Sequence, residues 1–222
     1  MVKFGEYIPL FGVNHMIYIF GLISFSVLLF MNQSSISKHE PQITFIIIII
    51  AIIQQILLYS SYFFLLDFHL GELLPFHISR INSNLGILYL IKKDNKIFTL
   101  LSFFSVFAWL SFIMPMRVHP IVQSFFINHV MTLLIPYYGM IIEGYQIKKE
   151  GKQTTLYWLI VYTLFCLFLN PLVDGNYFYL KHKPILSNLP NIVYVPLLIL
   201  FSYILFYGYE KLYSLIYKTL IA

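Results

Sequence analysis

Cysteine is almost missing from this 222-residue chain, in which Cys166 stands alone. A single thiol excludes an intrachain disulfide, a cysteine zinc site and a C-x-x-C redox pair. Charge is scarce too: 10% of residues are charged, against 59% hydrophobic and 19% aromatic. Mean hydropathy is +0.80. Such a chain has too few polar residues to cover a soluble domain, so the composition points to a membrane protein. The net charge of +5 could suggest nucleic acid, but the basic residues sit in short loops between apolar spans, where they set orientation. No nucleic-acid partner is expected. The N-terminus lacks a basic n-region and a small-residue cleavage site, so the first apolar run is expected to stay in the protein as a span. No internal repeat is visible.

What the chain does have is apolar length. Runs of ~20 residues, enough to cross ~30 Å of hydrocarbon, fill most of it and leave little for a second domain. The expectation is one integral membrane domain over 1–222, an all-α polytopic bundle of about seven transmembrane helices. The spans run roughly from Val13 to Met31, Ile43 to Leu66, Leu74 to Ile91, Ile97 to Met116, Ser124 to Tyr145, Thr155 to Leu172 and Ile192 to Tyr213. The connections carry turn residues or charge: "NQSSISKHEPQ", "KKDNK", "RVHP" and "KKEGKQ". The run "IIIII" at 46 to 50 reads as lipid-facing filler. Nine lysines (38, 92, 93, 96, 148, 149, 152, 211 and 218) fall on one side, against Lys3, Arg117, Lys181 and Lys183 on the other. That bias puts the N-terminus outside and the C-terminus in the cytoplasm of a multi-pass cell-membrane protein.

With that topology the unusual polar residues collect toward the extracytoplasmic half. Asn14 and His15 open the first span, "HISRINSN" the third, and Asn128 and His129 the fifth. Asn170 closes the sixth, and the loop "DGNYFYLKHKP" follows it. The cytoplasmic half offers mainly Glu143 and lysine-rich loops. Ionisable groups within spans are costly and mark a functional interior by default. At about 100° per residue, His77, Arg80 and Asn84 share one face of the third span, with Ser79, Asn82 and Ser83 nearly opposite. A helix polar on two faces should be central, shielded from lipid. In the fifth span His129, Thr132, Pro136, Gly139 and Glu143 form one stripe that should face it, with Pro136 freeing a backbone carbonyl.

Three chemistries fit these residues. A serine activated by a histidine can attack an ester: Ser79 and His129 are the natural pair and His77 the spare. Arg80, Asn82 and Tyr177 are candidate oxyanion donors. The bland reading of Ser79 is a packing residue bonded to its own helix. "DFHLGELLPFH" offers Asp67, His69, Glu72 and His77 to a metal but matches no defined motif, and a solvated loop is the better reading. Neither metal nor cofactor is expected. Transport would place polar groups near the midplane in repeats, and here the cluster is off-centre. Arg80 could instead pair with Asp67, Glu72 or Asp174 and simply hold the bundle.

"LPFHISRI", "FFINHV", "IIEGY" and "NPLVDGNYFYLKHKP", in this order, resemble the YwaF-type bacterial integral membrane proteins. These are relatives of the eukaryotic acyltransferase called transmembrane protein 164. The resemblance runs through all seven spans and is most specific from Leu74 to Pro184. It implies a seven-helix enzyme that moves fatty acyl groups between lipids. In the eukaryotic relatives the proposed nucleophile is a cysteine two residues after the histidine of the L-P-x-H stretch, assisted by a histidine in a later span; many bacterial members have another polar residue at the first position. Those positions are Ser79 and His129 here, so an oxygen ester would replace a thioester. The expected partner is a membrane phospholipid or other acylated lipid. Arg80, Asn82, Asn170, Asp174, Asn176, Tyr177 and Tyr179 are the candidate residues for its headgroup or oxyanion. The alternative is a non-catalytic lipid-binding protein or a small-molecule transporter using the same cavity.

Overall fold

The computed structural model describes residues 9–64, 70–113 and 122–220, and all regular structure among them is helical. In chain order the helices are α1 (Val13–Met31), α2 (Gln33–Lys38), α3 (Glu40–Phe64), α4 (Leu70–Leu73), α5 (Ile78–Lys92), α6 (Asn95–Phe104), α7 (Val106–Ile113), α8 (Val122–Glu143), α9 (Lys149–Val173) and α10 (Asn191–Leu220). Tyr177–Tyr179 form one 3-10 turn. Among the described residues, Val13–Met31, Glu40–Phe64, Glu150–Val173 and Asn191–Leu220 are long and apolar enough to cross a membrane. They carry exposed apolar side chains such as Phe20, Ile56, Phe168 and Leu200. That surface suits lipid and would be a liability in water.

The segment expected to be a loop, "NQSSISKHEPQ", is mostly helical. It holds no glycine, and its proline, Pro41, falls in the first turn of α3, where a missing N–H costs nothing. The α5–α6 turn is real: Lys93 takes a left-handed φ of 52°. The Asp94 carboxylate then caps α6 by accepting from the Lys96 and Ile97 amides at 2.8 and 2.9 Å. The isoleucine run is only partly filler. Ile46, Ile49 and Ile50 are exposed, while Ile47 and Ile48 pack against the core.

α5 packs against α3, α6, α7 and α8, as a helix polar on two faces requires. It is not fully enclosed, however. Asn84, Leu88 and Ile91 are exposed, and their spacing makes one open stripe along the helix. The α8 stripe meets α5 as expected: Lys93, at the end of α5, pairs with Glu143 at 3.2 Å, and beside the stripe Ser83 donates to Asn128. Between these contacts the Tyr89 ring lies against Gly139. The two helices therefore run parallel in fixed register. Much of the aromatic content is spent here, where Tyr89, Phe98, Tyr145, Tyr137 and Tyr213 form a chain of ring contacts joining α5, α6, α8 and α10.

Gly139 has a steric reason. A Cβ there would collide with the Tyr89 hydroxyl and stand 2.8 Å from Cε2 of Phe98. Both rings are fully buried. Gly139→Ala should therefore destabilise the protein by about 1–3 kcal/mol, the cost of overpacking, despite alanine's ~1 kcal/mol advantage inside a helix. Thermal unfolding in lipid nanodiscs reads the sign directly; a variant as stable as wild type would contradict this packing.

Candidate functional site

The first turn of α5 gathers much of the chemistry. His77 is the N-cap residue, with extended backbone and no side-chain cap bond. Its carbonyl accepts from the Arg80 and Ile81 amides at 2.9 and 3.0 Å. Its ring Nε2 lies 3.3 Å from a Glu72 carboxylate oxygen, and the ring meets Tyr177 edge-on at 4.8 Å. Ser79 follows, half-buried. Neither its hydroxyl nor the Ile78 and Ser79 amides bond to a described residue. Amides at this end of a helix have no intrahelical acceptor and sit at the positive end of its dipole.

Arg80 is buried and anchors this end from beneath. Its guanidinium donates to the carbonyls of Glu72 and Leu74, the latter at 3.0 Å, and to the Tyr62 hydroxyl at 2.6 Å. It also lies over the Tyr62 ring, 4.7 Å from the centroid. The hydrogen bond to Glu72 thus runs through main chain, and the Glu72 carboxylate faces His77. Asp174, another expected partner of Arg80, pairs with Lys181. Asp67 and His69 lie outside the described residues. Among the described residues no three His, Cys, Asp or Glu side chains group as metal ligands.

The loop after α9 is built by its own polar residues. Asp174 ends the helix in a left-handed conformation, φ 53°. The Asn170 side chain clasps Tyr177 twice, accepting from its amide at 2.8 Å and donating to its carbonyl at 3.0 Å. Asn176 accepts from the Lys181 and His182 amides and donates to the His182 carbonyl. Phe178 and Tyr179 both have positive φ, which bulky residues adopt only when the surroundings dictate it. The outcome is a fully buried Tyr177 ring, 0% exposed, against Phe76 and His77. Burial, only partly offset by the Arg80 charge, pushes its phenol up to about 12, so it stays protonated at neutral pH. Asn170, Asp174 and Asn176 thus all bond within this loop, and the Tyr177 ring packs on His77. Tyr179 is half-buried in the same turn.

Across the bundle, His129 is buried on α8 next to Asn128. The Ser83–Asn128 bond lies one turn inward of Ser79 on the same face of α5. Asn82, expected at the reacting centre, turns elsewhere. With its amide oriented to satisfy both atoms, it donates to the Leu101 carbonyl and accepts from the Ser105 amide, 3.2 Å each. It thereby ties α5 to the break between α6 and α7. His15, at the start of α1, accepts from the Phe11 amide at 2.8 Å.

At the opposite end, where the sequence shows mainly Glu143 and lysine-rich loops, the structure adds two ionic clusters whose pairing the sequence does not reveal. Lys93 pairs with both Glu40 and Glu143 at 2.9 and 3.2 Å, and Glu40 also accepts from Thr44. Lys152 is buried against Glu210 at 2.5 Å, with its ammonium 4.8 Å from the Tyr207 ring centroid. A lysine and a glutamate 58 positions apart give no local signal; only helix packing joins them.

Cys166 stands close to the site through its neighbours. The neighbouring Phe165 ring meets Phe76 at 4.9 Å. One turn back, the Tyr162 hydroxyl donates to the Phe76 carbonyl at 2.6 Å. The thiol itself is 0% exposed, and a buried thiol in apolar surroundings is inert. Maleimide should leave the folded protein unlabelled and add one equivalent after denaturation; rapid labelling of native protein would refute this placement.

Lipid-suited helices around a polar, partly open centre define a multi-pass helical membrane protein. The model of the TMEM164 family matches residues 10–213, and the chain belongs to that family. Comparisons with curated proteins and with solved structures each returned no match.

Proposed function

We propose that the chain is a membrane lipid acyltransferase or acyl-ester hydrolase of the cell membrane. In this reading 1–222 form one domain of seven transmembrane helices, in which α6 and α7 make one span. The N-terminus is outside, the C-terminus is cytoplasmic, and the α5 N-terminus lies toward the extracytoplasmic leaflet. Ser79 attacks the acyl carbonyl of a phospholipid while His129 takes its proton. As the ester C–O bond breaks, His129 returns the proton to the departing alcohol. A second alcohol, or water, then releases the acyl group from Ser79 by the same steps reversed.

The observation that carries the reading is the position of Ser79. It sits in the first turn of α5, on the face that bonds α8 beside His129, with two unengaged amides at its helix end. Those amides suit an oxyanion at the attacked carbonyl. One observation favours His77 as the base instead: its ring nitrogen lies 3.3 Å from a Glu72 carboxylate oxygen, and a nearby negative charge stabilises an imidazolium. The test is fluorophosphonate labelling in lipid with intact-mass readout. Wild type should take one adduct, and Ser79→Ala none. A folded wild-type protein that takes no adduct would overturn serine catalysis and favour a non-catalytic lipid binder or transporter.

A further inference from the structure

A small, partly open cavity of about 10 Å³ lies between α3, α5 and α8. Ala51, Met131 and Ile135 supply its apolar wall; Gln54, Ser83, Asn128 and Thr132 supply its polar one. Gln54 and Thr132 are 3% and 2% exposed, so bulk water does not reach them.

Thr132 is the anomaly. Thr99, Thr154, Thr155, Thr163 and Thr219 each donate their hydroxyl to the carbonyl four residues back. Thr44 bonds to Glu40 and Tyr138. The Thr132 hydroxyl is buried with no partner at all among the described residues. Pro136 stands four residues on inside α8. Having no N–H, it cannot bond the Thr132 carbonyl as a helix normally would. Two polar groups of one residue thus lack the partners that an α-helix supplies, beside a cavity sized for one small molecule.

We propose that this cavity binds a single structural water, held by the Thr132 hydroxyl and by the polar groups of Gln54 and of the Ser83–Asn128 pair. A water needs two to four polar partners and roughly this much room. A cation is disfavoured because no carboxylate lines the cavity, and an uncompensated charge in an apolar interior is very costly. The water joins three helices that share no direct side-chain bond at Thr132. The inference stands apart from the acyl chemistry.

The experiment is water-edited solid-state NMR of the full chain in lipid bilayers, with methyl-labelled threonine and proton transfer from H2O. A transfer to the Thr132 methyl group faster than to the equally buried Thr155 and Thr163 is expected, and it should be the same in sodium, potassium and choline buffers. Thr132→Val, which keeps the shape, should lower the melting temperature by about 2–4 °C, the shift for ~1 kcal/mol in a chain of this size. A dry cavity would show no preferential transfer, and the valine would raise the melting temperature by removing an orphan hydroxyl. A spectrum that changes with sodium alone would identify a cation. Either result overturns the proposal, and the wild-type spectrum decides even if the variant fails to fold.

Discussion

Ser79→Ala should reduce acyl-ester turnover by at least about 10³-fold, because removing the nucleophile leaves only the rate supplied by binding and oxyanion donors. The cost to the fold should be small. The hydroxyl is half-buried and bonds no described residue, so its loss orphans nothing, and alanine is the better helix former. Turnover of a fluorescent phospholipid in nanodiscs, read beside the melting temperature, separates the two effects. Loss of turnover at unchanged stability supports the nucleophile; full turnover in a folded Ser79→Ala protein would sink it. The same assay divides the histidines. If His129 is the base, His129→Ala falls as far as Ser79→Ala and Glu72→Gln stays near wild type. A steep loss in both His77→Ala and Glu72→Gln would transfer that role to His77.

Arg80→Met should be the most damaging of the stability variants, lowering stability by about 3–5 kcal/mol. Arg80 supplies three bonds at once, to the Glu72 and Leu74 carbonyls and to Tyr62. Methionine fills similar volume but removes all three of these donations, and a lost bond costs about 1–3 kcal/mol where its acceptor is buried. Arg80→Lys should recover only part of this, because a compact ammonium cannot reproduce the guanidinium fork. Thermal unfolding in nanodiscs is the readout. A methionine variant within about 1 kcal/mol of wild type, a margin set by the same unpaired-group cost, would show that Arg80 does not hold the α4–α5 connection.

Much of the architecture followed from the sequence because its causes are local. Apolar length dictates helices that suit a membrane, whatever surrounds them. The two-faced polarity of Ile78–Lys92 requires neighbours, and α3, α6, α7 and α8 provide them. The stripe from Thr132 through Gly139 to Glu143 meets α5 because a 3.6-residue period fixes which side chains share a face. Ser79, His77 and His129 stand out for a similar reason: polar groups in apolar spans need an explanation that lipid cannot give.

What each polar group bonds to was decided only by packing. Asn82 and Ser83 are adjacent, yet one ties α5 to the α6–α7 break and the other reaches α8. Asn170 clasps Tyr177, seven residues later, because the backbone of the loop turns back. Lys152 found Glu210 only when α9 lay beside α10. Sequence periodicity gives the direction of a side chain about its own helix. The distance to a partner depends on where a second helix is placed, and that placement minimises the polar groups left unpaired in the whole bundle.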